Sequence, residues 1–431
     1  MPKAYDLLAV PALKTLARIG SLFNDKLKRG IDGRRSLMIE IEEHYKSVTD
    51  RRRILIHVSS FGELEQAKPI VEQLAQQTPR PHIHLTFFSP SGYENAKARY
   101  STPDLITYAP FDDQGSVKQF LERVRPDLAL FVRYDVWPNM AKQLRALGIP
   151  SILFSATFDA RRESPMVRKL HRNTYDQLSK ILTISTEDKL GFERLGVVVP
   201  INVAGDTRFD QVAVRKSEIA NADTHVLPDN VRNNLRESKR FVLVAGSTWA
   251  KDEELISEIM LRSPPRFDDV VLIIAPHEPS EGHVQKLLDT FGAEAIKLSE
   301  CDRYAGERVI IVDSIGKLFS LYQEADIAYV GGGFSDGVHN VLEPSVWRKP
   351  VIVGPRHERS QEVAALIGES GGIAVTNDDE LGMAIARFKT DRAYLSLFAN
   401  NAEQFVKRRL GATTQIMCAI EETVVSDHDL S

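Results

Sequence analysis

From residue 54 onward, short apolar runs alternate with stretches of helical periodicity. The runs at 54–58, 82–88, 128–132, 151–154 and 181–184 are β-branched or apolar throughout much of their length. Each is too short for a buried helix and of the right length for a buried strand. Strands of this kind separated by helices predict a parallel sheet covered on both faces. The first helix is expected at about 64–77. The alternation then stops: residues 211–238 are polar and carry no strand signal, and they read as a linker. A second series follows at 241–245, 270–275, 309–312, 327–330 and 351–353. The pattern therefore divides the chain into an N-terminal segment (1–36), an α/β unit (37–210), a linker (211–238), a second α/β unit (239–399) and a helical C-terminus (400–431). That last stretch is placed to return to the first unit.

The architecture these runs imply is two Rossmann-like halves facing one another across a cleft. Composition narrows the picture. The chain has 431 residues, 43% hydrophobic and 26% charged, which excludes a disordered tail, a collagen-like fibre and a polytopic membrane protein. A net charge of −4 argues against nucleic acid as a partner. Cys301 and Cys418, far apart, form neither a disulfide scaffold nor a CxxC metal site, so a reducing compartment is the default. Charge is uneven: residues 1–36 carry eight Lys/Arg and three Asp, a local net of +5 against −9 for the rest. In that segment Leu7, Leu8, Val10, Leu13, Leu16, Ala17, Ile19, Leu22 and Phe23 recur at roughly helical spacing. The charge-free run 7–13 is too short to span a bilayer, which takes about 20 residues. No small-x-small cleavage site marks a secretory signal. Two readings stand: a basic amphipathic helix lying on an anionic membrane surface, or a helix packed on its own domain.

Ligands of open α/β sheets bind beyond the carboxyl ends of the strands, so residues just after each apolar run are the first candidates. After the first run comes His57-Val58-Ser59-Ser60-Phe61-Gly62-Glu63. A carboxylate here either takes a proton from an acceptor hydroxyl or complements the helix dipole. Arg133-Tyr134-Asp135-Val136-Trp137-Pro138-Asn139 follows the third run, with Pro138 suited to a first helical turn. There Asp135 is either functional or a helix cap, and Trp137 functional or core. A polar cluster, 155–161, follows the fourth. In the second half, Gly331-Gly332-Gly333-Phe334-Ser335-Asp336-Gly337-Val338-His339-Asn340-Val341-Leu342-Glu343-Pro344 follows a strand. It is neither GxGxxG nor a Walker A loop. Its glycines permit close approach to a phosphate, and Glu343 can accept from ribose hydroxyls. Ser247 and Thr248, His277 and Gly316 lie at three further strand ends. His277 and His283 have no metal-pair spacing, so no structural metal is expected. Ser60 lies in no GxSxG elbow, which argues against a hydrolase triad.

Taken together, these residues resemble the 3-deoxy-D-manno-octulosonic acid (Kdo) transferase family, over about residues 5–375. The family's H-x-x-S-x-G-E appears as His57 to Glu63, its YAPFD as Tyr108 to Asp112 and its WPN as Trp137 to Asn139. Its G-N-x-K-F-D appears as Gly205-Asp206-Thr207-Arg208-Phe209-Asp210, and its GGHNxLEP as 336–344 with Val338 in place of a glycine. The resemblance implies the GT-B fold and transfer of Kdo from CMP-Kdo to a lipid A precursor in lipopolysaccharide biosynthesis. It implies inversion, no metal and no cofactor. Glu63 looks like the catalytic base. Arg208, Ser247, Thr248, His277, Gly316, Gly332, Gly333, His339, Asn340 and Glu343 look like the donor side. Ser60, Arg133, Asp135 and Asn139 fall on the acceptor side or are unassigned. The implied location is the cytoplasmic face of the bacterial inner membrane, peripheral or monotopic.

Three departures stand out. The family's E-x-E is Arg133-Tyr134-Asp135, its P-R-H is Pro276-His277-Glu278 and its S-x-H is Ser247-Thr248-Trp249. A histidine does not replace an arginine that clamps phosphate bidentately. Arg356 and Arg359 are candidates to compensate. These departures leave two rivals open. One is a GT-B UDP-sugar transferase or epimerase; the other is a non-catalytic protein on a transferase scaffold.

Overall fold

The computed structural model describes residues 5–6, 10–21, 23–158, 165–222, 225–262, 267–335, 337–358 and 360–428. Lys3, Leu7, Leu8, Leu22, Asp159, Ala160, Arg161, Asp336 and Arg359 lie outside them. The chain forms two compact units, Met1–Gln211 with Leu410–Ser431, and Val212–Arg409.

The first unit holds seven parallel strands: β1 (Arg53–Val58), β2 (His82–Phe87), β3 (Leu105–Tyr108), β4 (Leu128–Val132), β5 (Ser151–Ala156), β6 (Lys180–Thr183) and β7 (Ile201–Val203). Their order is β3-β2-β1-β4-β5-β6-β7, which reverses direction between β1 and β4. Alternate side chains of each strand enter two cores. Ile54, Ile56, Leu85, Leu130 and Phe154 pack beneath helix Phe61–Ala75 and the C-terminal helix Ala412–His428. Leu55, Ala129, Phe131 and Leu153 pack beneath helices Leu37–Tyr45 and Gln114–Val124. Burial on both faces explains why these strands read as unbroken apolar runs.

The second unit repeats the plan with β8 (Phe241–Thr248), β9 (Val270–Pro276), β10 (Ala295–Lys297), β11 (Val309–Ile311), β12 (Ile327–Val330), β13 (Val351–Val353) and β14 (Gly372–Ala374). The order β10-β11-β9-β8-β12-β13-β14 reverses between β8 and β12.

Two stretches have more detail than the sequence reading gave them. Residues 211–238, read as a linker, are mostly helical: Thr207–Ala222 and Asp229–Ser238. The second of these buries Val231 and Leu235 against β8 and β9, so two apolar residues on one face suffice to dock a largely polar helix. The C-terminal stretch is two helices, Arg392–Lys407 and Ala412–His428, broken at Gly411 with φ 104°. Ile416, Met417 and Ile420 of the second join the first unit's core. Asp210 fastens its start by accepting from the N–H groups of Gly411 (2.7 Å) and Thr413 (2.6 Å).

Candidate active site

In each sheet the strand order reverses at one point, and there the loops after two neighbouring strands splay apart to leave room for a ligand. Most of the sequence candidates collect at these two points. In the first unit Ser60, Glu63, Arg133 and Asp135 follow β1 and β4; in the second, Ser247 and Thr248 end β8 and the 331–343 residues follow β12, while His277 follows the neighbouring β9 and Gly316 follows β11.

At the first point Ser60 is the N-cap of helix Phe61–Ala75 and Glu63 is its third residue. The Glu63 carboxylate accepts from the backbone N–H of Ser59 and, at 3.3 Å, of Ser60. It is only 4% exposed. Burial raises its pKa, and the nearby charge of Asp135 raises it further; the Ser59 N–H bond opposes both. Glu63 therefore completes the helix start, and burial also gives its carboxylate a heightened affinity for a proton. Asp135 is held by three donors through one oxygen: His57 Nε2 (3.3 Å), Trp137 Nε1 (3.3 Å) and the Ser59 hydroxyl. His57 is anchored on its far side by Thr86 at 3.0 Å. Arg133 adopts a left-handed backbone with φ 67°, and its Nε is buried without a hydrogen-bond partner among the described residues.

Two candidates are engaged by contacts within the protein. Asn139 is 3% exposed, and its amide donates to Asp6 and to the Asp112 carbonyl, both at 2.7 Å. It pins the Tyr108–Asp112 motif to the N-terminal segment, where Tyr5 also donates to Asp112 (2.9 Å). Burial pushes the Asp112 carboxyl up to about 6. Arg208, expected to meet a donor carboxylate or phosphate, lies in the first unit and commits Nε and Nη2 to Asp206 at 2.9 and 2.7 Å. The paired guanidinium holds the buried Asp206 below the usual carboxylate range despite desolvation.

At the second point the glycines serve a purpose that spacing did not reveal. A Cβ on Gly331 would lie 2.4 Å from the Ser247 carbonyl oxygen, on Gly332 2.2 Å from the Gly337 carbonyl oxygen, and on Gly333 2.6 Å from Gly354. The loop is thus packed backbone on backbone, and the glycines are required for that packing whether or not a phosphate approaches. Gly316, with φ 88° and open space around it, is a turn glycine. A buried carboxylate missed in the sequence, Asp252, ties the loop down. It accepts from Gly332 N (2.9 Å), Trp249 N (2.9 Å) and Tyr329 Oη (2.6 Å). The signal was a carboxylate in the first turn of the helix after β8. Thr248 is fully buried and donates its hydroxyl to Glu253 (2.9 Å), which leaves Ser247 as the hydroxyl candidate. Asn340 accepts from Leu342 N at 3.0 Å. Glu343 lies 3.7 Å from Arg215. Arg356 donates to the Ser335 carbonyl at 2.7 Å.

Three rings complete this point. Trp249 Nε1 donates to His339 Nε2 at 2.8 Å, and the two rings are within 12° of coplanar. His277 stacks on both, with centroids 4.7 Å from Trp249 and 4.4 Å from His339.

Two seven-stranded parallel sheets, each with polar loops at its switch point, define a GT-B protein. UDP-GlcNAc 2-epimerase from Neisseria meningitidis, solved with UDP-GlcNAc, shares this fold with a TM-score of 0.59 at 14% identity, over 87% of this chain and all of that one. Within that class the chain is similar to Kdo transferases. Residues 36–211 match the family model described as 3-deoxy-D-manno-octulosonic-acid transferase (kdotransferase). The 3-deoxy-D-manno-octulosonic acid transferase of Haemophilus influenzae is 27% identical over 84% of this chain and 85% of its own length. A bifunctional glycosyltransferase/methyltransferase of Fusobacterium nucleatum is 28% identical over 90% of this chain but only 59% of that longer protein.

Proposed function

We propose that this glycosyltransferase moves Kdo from CMP-Kdo to a lipid A precursor, with inversion and without a resident metal. One observation carries the reading at the level of chemistry: Glu63, a buried carboxylate with a raised pKa, stands beside Asp135 at the switch point of the first sheet. It supplies the one base that an inverting transfer needs. Glu63 takes the proton from the acceptor hydroxyl as that oxygen attacks the anomeric carbon of Kdo. The new C–O bond forms as the bond from that carbon to the CMP phosphate oxygen breaks, and CMP leaves. The second unit is proposed to take the nucleotide through the 331–340 loop, Ser247, His277 and His339, with Asn340 and Glu343 toward the ribose.

The acceptor reading implies a membrane surface. No helix among the described residues is long and apolar enough to cross a bilayer. The two N-terminal helices and the turn between them instead expose Leu16, Ile19, Phe23 and Leu27 beside Lys26 and Lys28, the combination that lies in the headgroup region of anionic lipid.

The test is release of CMP from CMP-Kdo with and without a lipid A precursor. Acceptor-dependent release that falls at least about 100-fold in Glu63→Gln is expected, the scale of losing a general base. Unchanged turnover in that variant rejects the base. Thermal protection by UDP but not by CMP favours the UDP-sugar alternative that the shared fold keeps in view.

A further inference from the structure

The pairing of Trp249 with His339 fixes more than a position. An indole Nε1–H can only donate, so His339 Nε2 must carry a lone pair. An imidazolium has no lone pair to offer. The ring is therefore neutral, with its single proton on Nδ1. Cδ2 of the same ring packs against Gly332, where an added Cβ would sit 3.1 Å away. Nδ1 lies across the ring from both contacts, and no hydrogen-bond partner to it is found among the described residues. The titratable groups that face the ring are His277, after β9, and Asp252, on helix Ala250–Arg262. Burial and the adjacent His277 both disfavour a charge on His339; Asp252 opposes them, and the net shift is downward. His277 stacks over the Trp249–His339 pair and encloses it on one face.

We propose that Trp249 is a positioning residue of the donor site: it locks His339 as the neutral Nδ1–H tautomer, so that His339 offers a pH-independent hydrogen bond to an anionic oxygen of the nucleotide donor. The ligand half of this inference rests on the proposed CMP-sugar reading; the tautomer half does not. By the resemblance, Trp249 falls where the S-x-H motif has histidine. A histidine there could exchange donor and acceptor roles with His339, whereas an indole cannot. The substitution therefore converts a pair with two tautomeric arrangements into a pair with one.

Two measurements test this on the full chain. The first is the long-range ¹H–¹⁵N spectrum of ring-labelled histidine in the wild-type protein, with His339 assigned by comparison with His339→Gln. The expected result is a proton on Nδ1 and no titration of His339 between pH 5.5 and 8. An Nε2–H tautomer, or a midpoint near the ordinary ~6.5, overturns the proposal without any ligand or variant having to bind. The second is CMP affinity of Trp249→Phe relative to wild type at both ends of that range. Phenylalanine keeps the stack and removes the donor. His339 then gains access to its charged form, and the variant-to-wild-type affinity ratio is expected to rise at least about fivefold from pH 8 to pH 5.5. The ratio cancels the titration of CMP itself. A flat ratio overturns the role in donor binding. If CMP binds neither protein, the ligand half falls with the proposed function, and the tautomer is still decided by the spectrum.

Discussion

Glu63 shows how one side chain meets two demands. Its backbone hydrogen bonds start a helix, and burial makes it a stronger base than a solvated carboxylate. The pH profile follows from the order of causes. Burial raises the pKa first, and the Asp135 charge adds to it. A general base must be ionised, so with Glu63 as the proposed base, activity is expected to rise with pH through its pKa. Asp135→Asn removes a negative charge while keeping the oxygen that accepts from Trp137 and Ser59. The acidic limb of kcat/KM is therefore expected to move to lower pH. A limb that stays in place, or moves up, means that Asp135 does not set the proton affinity of Glu63. Strain points to the same edges. Arg133, Ser155 and Ser247 all have left-handed backbones at carboxyl strand ends, with φ of 67°, 47° and 52°. Such conformations cost about 1–3 kcal/mol each and persist where the surroundings enforce them.

Among the elements, the reading of the sequence succeeded and failed along a physical boundary. Every strand of the two sheet interiors appears as an apolar run, because both of its faces are buried. The four strands it missed, β3, β7, β10 and β14, are the edge strands of the two sheets. They are three or four residues long, and Asn202 and Val203 of β7 are exposed. β11 and β13 are as short but lie inside the sheet as unbroken Val/Ile runs, whereas the edge strands include polar or small residues such as Thr107, Asn202, Lys297 and Gly372 that break the apolar signal. The C-terminal helix depends on a single side chain at its entry. Asp210→Ala removes both acceptor contacts to Gly411 and Thr413. It is expected to destabilise the first unit by about 1–2 kcal/mol, read as a lower urea midpoint, with Asp210→Asn losing less. Equal stability of Asp210→Ala and wild type means that Ile416, Met417 and Ile420 hold the helix without the cap.

At the scale of the whole molecule, one end of the sequence has a net charge opposite in sign to the rest. Residues 1–36 have a net of +5 against an overall −4. With Phe23 87% exposed and Leu16 65% exposed, that segment offers both terms of membrane attraction. Replacing Lys26 and Lys28 with Gln should weaken binding to anionic vesicles roughly thirtyfold, from about 1 kcal/mol per basic residue. The effect should shrink as salt is raised. Phe23→Ser should weaken binding at every salt concentration, since the apolar term is not screened. Vesicle sedimentation in which neither change matters removes the membrane reading and leaves the helix as a packed element of its own unit.

The sequence by itself determined the two α/β units, the strand ends where polar residues gather, and the family motifs from His57 to Glu343. Those features are local: they follow from runs of apolar residues and from residue order. Tertiary structure decided which of the gathered residues remain available for chemistry. It committed Arg208 to Asp206, Asn139 to Asp6 and Asp112, and Thr248 to Glu253. It packed the 331–333 glycines against backbone and joined Trp249 to His339 across 90 residues. Hydrogen bonding decides these matters. A donor's partner depends on what folding brings within about 3 Å of it, and no pattern along the chain records that distance.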